Sequence, residues 1–145
     1  MKTTIALMVS VLMFVGCSDL NTENYDTQLQ RRFIENGIPE GDYTGTFSVV
    51  YNNGETYSNP VTISFFNDYT FNSSDGPMRY PAGGNGSYEI TEDAINFTDL
   101  KVWTADFDWN LILNGKYHYT IQQNKLIIYA NKNKAGTYTY TITFP

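Results

Sequence analysis

From Asp42 onward, apolar and polar side chains alternate with a period of two, the pattern of strands that bury one face and wet the other. Phe47, Val49 and Tyr51 share a face, as do Val61, Ile63 and Phe65, then Trp109, Leu111 and Leu113, then Tyr117, Tyr119 and Ile121, then Leu126, Ile128 and Ala130. The final stretch sets Tyr138, Tyr140, Ile142 and Phe144 against Thr137, Thr139, Thr141 and Thr143, and shorter pieces around Tyr69–Phe71, Tyr88–Ile90 and Ile95–Phe97 fit between. Asn53-Gly54 and Asn114-Gly115 read as hairpin turns, because a type I′ turn needs positive φ at both central residues. Asn67-Asp68, Gln123-Asn124 and the stretch 131–136 supply other corners. Pro60 lacks an N–H, which places its strand end at an edge or a bulge. About eight or nine strands on short connections predict an all-β fold, an antiparallel up-and-down meander closing as a β-barrel, since closure removes exposed sheet edges. A β-sandwich is the alternative, because periodicity reveals an inner face without showing how the sheet closes.

Before the strands the pattern differs. Residues 18–40 are polar, with Tyr25, Leu29, Phe33 and Ile34 at helix-like spacing and Gly37 and Pro39 as terminators. This predicts a tether carrying one short helix, whose apolar stripe plugs or flanks the β domain. Within the β region, residues 73–86 hold Pro77, Pro81, Gly76, Gly83, Gly84 and Gly86, too flexible for a strand, and predict a loop with Tyr80 inside it.

The extreme N-terminus is different again. Lys2, an apolar run of about eleven residues from Ile5 to Val15, and Gly16 directly before Cys17 have the layout of a secretory signal. The run is shorter than the roughly 20 residues a membrane span needs, so removal is expected. Gly16-Cys17 resembles the lipobox of bacterial lipoproteins, with Phe14 in place of the usual Leu three residues before the cysteine. The resemblance implies cleavage before Cys17 and acylation of the cysteine, and two or more acyl chains hold a membrane stably where one does not. It also accounts for a single cysteine that has no partner for an internal disulfide. Ser18-Asp19, with Glu23 and Asp26, resembles the acidic signal that sends some lipoproteins to the cell surface. The expected organisation is a lipoprotein signal peptide over 1–16, a lipidated tether over 17–40 and a barrel domain over 41–145, in the bacterial envelope as an outer-membrane lipoprotein, periplasmic or surface-exposed.

Composition narrows the partners. A chain of 145 residues holds one core, and 12 Tyr and 9 Phe suit strands. The net charge of −6, with scattered Lys and Arg, excludes a nucleic-acid backbone as partner and leaves the lipid on Cys17 as the means of membrane contact. A monomer is expected. Three Asn-x-Ser/Thr triplets, at Asn72, Asn85 and Asn96, carry no meaning in a bacterial host.

Chemistry is sparse. His118, the one histidine, lies on an outward strand phase with no nucleophile motif in the chain, so no catalytic residue is assigned. Asp106, Asp108 and Asn110 open like a calcium loop, but Leu111 stands where glycine belongs and Tyr117 where glutamate belongs, so no metal is expected. Gly84-Asn85-Gly86 lacks the rest of a nucleotide fingerprint, and no cofactor is expected. Asp106 and Asp108, two apart on a strand, lie about 6.5 Å from each other, a spacing glycosidases use. Trp109, in phase with Leu111, is expected in the core, and Trp103 on an exposed platform. Trp103, Asp106, Asp108 and Tyr80 are thus the candidate ligand-binding residues.

The segments Gly41-Asp42-Tyr43-Thr44-Gly45-Thr46-Phe47, Gly86-Ser87-Tyr88-Glu89-Ile90, Leu113-Asn114-Gly115-Lys116-Tyr117-His118-Tyr119 and Tyr138 to Phe144 resemble the small lipocalin-like lipoproteins of Gram-negative gut anaerobes. The resemblance implies a lipocalin-like barrel and carries no functional residue with it. The expectation is a non-enzymatic binding module for a small apolar or sugar-like molecule or a protein partner. A glycan-acting hydrolase using Asp106 and Asp108, or an envelope structural or inhibitor-like protein, are the alternatives.

Overall fold

The computed structural model describes residues 25–104 and 106–145. The expected signal peptide and lipid attachment at Cys17 fall outside the described residues. Eight antiparallel strands run in chain order and close into a barrel: β1 (Gly41–Tyr51), β2 (Thr56–Phe65), β3 (Thr70–Ser73), β4 (Gly84–Ile90), β5 (Ala94–Asp99), β6 (Gly115–Gln122), β7 (Lys125–Lys132) and β8 (Gly136–Thr143). The closing seam is the pairing of β1 with β8, from Thr44 opposite Thr143 to Tyr51 opposite Gly136. This seam excludes the β-sandwich.

The interior is filled. An eight-stranded barrel is just wide enough for side chains to occupy it, and here aromatic rings do so. Tyr43, Phe47, Phe65, Phe97, Tyr117, Tyr138 and Tyr140 are all fully buried. Their rings touch across the lumen: Phe47 and Tyr140 at 4.9 Å between centroids, Tyr43 and Phe65 at 5.2 Å, Phe97 and Tyr117 at 5.8 Å. The Tyr117 and Tyr140 hydroxyls are buried beside each other, and among the described residues neither makes a hydrogen bond of good geometry, so at most a weak contact joins them; burial raises both phenol pKa values. An unpaired buried hydroxyl costs stability, so its removal is harmless. Tyr140→Phe is therefore expected to leave thermal stability unchanged or raise it by up to about 1 kcal/mol. A loss of that size in thermal denaturation would reveal a hidden partner.

One pole is closed by the helix α1 (Tyr25–Asn36). Only Phe33 of its stripe is fully buried, edge-on to Phe144 at 5.8 Å, while Ile34 and Tyr25 stay exposed. Asp26 accepts from the Gln123 N–H of the β6–β7 turn at 3.1 Å, and Gln30 donates to the Glu92 carbonyl of the β4–β5 turn at 2.7 Å. Gly37, at φ +81°, ends the helix, and the Ile38 N–H then donates to the Tyr88 hydroxyl at 3.1 Å. The helix is a plug.

Four sequence expectations are corrected. Trp109–Leu111 is a 3₁₀ turn and no strand precedes Gly115, so Asn114-Gly115 is not a hairpin turn. Leu111, Ile112 and Leu113 are all buried in succession, which period-two reading cannot represent. The Asn53-Gly54 turn has positive φ at Gly54 alone among its residues, a three-residue loop rather than type I′. Gly84, Asn85 and Gly86 belong to strand β4, because a Cβ on Gly86 would stand 1.9 Å from the Thr98 carbonyl oxygen. Glycine there serves close strand approach, not flexibility. Pro60 behaves as expected. Thr62 exchanges hydrogen bonds with Ser74, so Pro60, two residues earlier, has its missing donor on the same side, beyond the last β2–β3 pair.

Candidate binding mouth

The pole opposite α1 is ringed by the β1–β2 turn, the loop 74–83, the loop 100–114 and the β7–β8 turn. Strands deliver polar inward positions to this end: Tyr51 on β1, Tyr57 and Asn59 on β2, Lys132 on β7 and Tyr138 on β8. The loop 100–114 dips its Asp108 among them. Asp108 Oδ2 accepts from the Tyr51 hydroxyl at 2.8 Å and the Tyr138 hydroxyl at 2.9 Å, while Oδ1 accepts from the Asn110 N–H at 3.0 Å and caps the 3₁₀ turn. Burial would raise the Asp108 pKa, but the bonds from Asn110, Tyr51 and Tyr138 outweigh it and hold the carboxyl below its usual range. The partners respond in the opposite sense, both phenols being raised by burial and by Asp108.

Lys132 completes the network. Its Nζ donates to the Ile112 carbonyl at 2.9 Å and the Asn110 carbonyl at 3.1 Å, and lies over the Tyr117 ring at 4.7 Å. Burial pushes its pKa down to about 8, with the Asp108 charge resisting. It remains an ammonium at neutral pH and anchors the loop backbone. Lys132 continues the inward phase of Leu126, Ile128 and Ala130, and that polar residue on a greasy phase was the signal in the sequence for it.

Above this layer lie the rings of the loops. Tyr80 stacks on Tyr57 at 4.4 Å with 17° between planes, and its carbonyl accepts from Asn59 at 2.7 Å. Trp103 donates its Nε1–H to Asp99 at 2.5 Å and packs on Phe107 at 5.5 Å, with Phe107 in turn 6.4 Å from Trp109. Arg79 sits over Phe107 at 4.8 Å and Lys101 over Trp103 at 4.4 Å. The loops also leave large apolar groups in water: Val102 is 85% exposed, Met78 78%, Leu100 71% and Trp109 59%. A cleft of about 480 Å³ opens beside Met78 and Val102, lined also by Arg79, Lys101 and Trp103 among others, while Leu100 and Trp109 lie outside it.

The chain matches no protein-family model, no curated protein and no solved structure.

The sequence candidates fall apart into distinct roles. Tyr80 and Trp103 both reach the mouth, each half-buried and held by a neighbour. Trp109 is the exposed indole, a reversal of the core position expected for it. Asp106 is exposed and takes no hydrogen bond among the described residues, whereas Asp108 is fixed as an acceptor with a lowered pKa. The lowered Asp108 carboxyl is shifted the opposite way from a general acid, so Asp108 is not placed in that role. His118 meets Asp93, whose carbonyl is 3.3 Å from Nδ1, on the outer face away from the mouth. Among the described residues no group of three metal-ligating side chains converges, and no helix is long and apolar enough to cross a membrane.

Proposed function

We propose that this chain is a lipid-anchored, non-enzymatic binding protein of the bacterial envelope that takes its ligand at the mouth of the barrel and not in its lumen. One observation carries the reading: the lumen is packed with rings, while the mouth loops hold Val102 and Met78 together in water on one cleft. Monomeric proteins rarely leave clustered apolar groups exposed without a use for them. Tyr51, Asp108 and Tyr138 form the floor that keeps the loops in place.

The anchor supports the same polarity. Tyr25 lies eight positions after Cys17, a reach of at most about 29 Å. The helix begins at the closed pole, against the β6–β7 turn. The tether thus joins the domain at the closed pole, so that pole lies nearer the membrane and the mouth farther from it.

Two measurements test the reading. Mass analysis of the mature chain is expected to find acyl chains on Cys17 as the first residue. Both tryptophans of the chain belong to the mouth loop, so tryptophan emission reports this end alone. A bound ligand is expected to shift that emission. An unmodified N-terminus refutes the anchor, and a ligand bound without any emission change refutes the mouth.

A further inference from the structure

We infer that the cleft between the two mouth loops is a site for an acidic saccharide, its carboxylate or sulfate held between Arg79 and Lys101. This inference rests on the mouth reading and gives it a ligand class. Arg79 comes from the loop 74–83 and Lys101 from the loop 100–114, and both line one cleft. Each lies over an aromatic ring, and neither forms an ion pair among the described residues. In a chain with a net charge of −6, two cations that share one cleft with a single carboxylate, Asp75, and form an ion pair with none call for an anion from outside. The backbone is shaped for this: Met78 and Arg79 both take left-handed conformations, at φ +52° and +63°, which ordinary side chains adopt at a cost.

The rest of the cleft selects what carries the anion. Trp103 is fixed at the cleft's edge by Asp99 with Lys101 over its ring, so a sugar ring that stacks on this indole does so by displacing the Lys101 ammonium onto its own carboxylate or sulfate. Asp75 lines the cleft as an acceptor for hydroxyl groups. A fatty acid would satisfy the cations but needs a slot for its chain, and the packed lumen offers none. An acidic peptide satisfies the two cations but makes no use of an oriented indole, and titration with hexaglutamate separates it from a saccharide. A volume of about 480 Å³ fits a small oligosaccharide.

The test uses the mature full-length chain in nonionic detergent, titrated by calorimetry and tryptophan emission. The probes are trigalacturonate, neutral maltotriose, octanoate and hexaglutamate. Trigalacturonate is expected to bind, to shift the emission, and to weaken with added salt. It is expected to bind roughly tenfold or more tightly than maltotriose, and to lose a similar factor in the double variant Arg79→Gln, Lys101→Gln. Both side chains are exposed, so the double variant should keep the wild-type melting temperature and isolate the site from the fold. Absence of trigalacturonate binding, equal binding of maltotriose, tighter binding of octanoate or hexaglutamate, or indifference to the double substitution each overturns the inference. In any of those cases an emission shift with another probe leaves the mouth standing as a binding site. Silence of both tryptophans across all four probes takes the mouth reading down as well.

Discussion

Gly45→Ala is expected to yield no stably folded barrel. Gly45 lies on the closing seam, paired with Val61 on one side and Ile142 on the other. A Cβ there would stand 2.0 Å from the Thr141 carbonyl oxygen and 2.8 Å from Ile142 Cα. These are backbone atoms of β8 with no rotamer to yield, so β1 must move away from β8 and the seam opens. An open seam exposes two strand edges and the aromatic core between them, which puts the loss beyond about 4 kcal/mol. The contrasting change is Gly54→Ala, where a Cβ meets nothing and only the φ of +92° resists. That variant should fold, at a cost of about 1 kcal/mol. Circular dichroism and thermal denaturation of the pair separate seam packing from turn strain, and a folded, stable Gly45→Ala would contradict the closure.

Asp108→Ala is expected to lower stability by about 3 kcal/mol and the melting temperature by about 10 °C. The change leaves two tyrosine hydroxyls and the Asn110 N–H without their acceptor, and removes the carboxylate that resists the fall of the Lys132 pKa. The pH dependence has a definite sign. Asp108 is held below its unfolded pKa, so its contribution is present above roughly pH 4 and is lost as pH falls through the lower folded value. The stability gap between wild type and Asp108→Asn should therefore be widest near neutrality and close in acid. A gap independent of pH would mean the carboxylate charge does not hold the floor of the mouth.

The strands were legible because each buries one face. Inward phases such as Leu126, Ile128 and Ala130, or Tyr138, Tyr140 and Ile142, need only the pleat to become a core. The loop 100–114 was not legible, because Leu111, Ile112 and Leu113 are buried consecutively by a 3₁₀ turn capped from Asp108. The alternation of Trp109 with Leu111 and Leu113 was fortuitous, and the indole points into water. Glycines misled for a related reason: Gly86 read as flexible, although the Thr98 backbone of β5 stands where its Cβ would be. At the mouth, Asp108, Trp103 and Tyr80 were visible as residue types. Their partners Tyr51, Tyr138, Lys132 and Arg79 come from distant strands and loops, and only closure brings them to one end.

Fluorine labelling offers the most direct test of where the ligand sits. With fluorotryptophan, Trp103 and Trp109 give two resonances at the mouth, and with fluorophenylalanine, Phe47 and Phe97 report the lumen, where both rings are fully buried. Titration with trigalacturonate should move both tryptophan signals and leave those of Phe47 and Phe97 in place. Movement of the Phe47 and Phe97 signals with the tryptophans unchanged would place the ligand inside the barrel and contradict a filled lumen with a binding mouth.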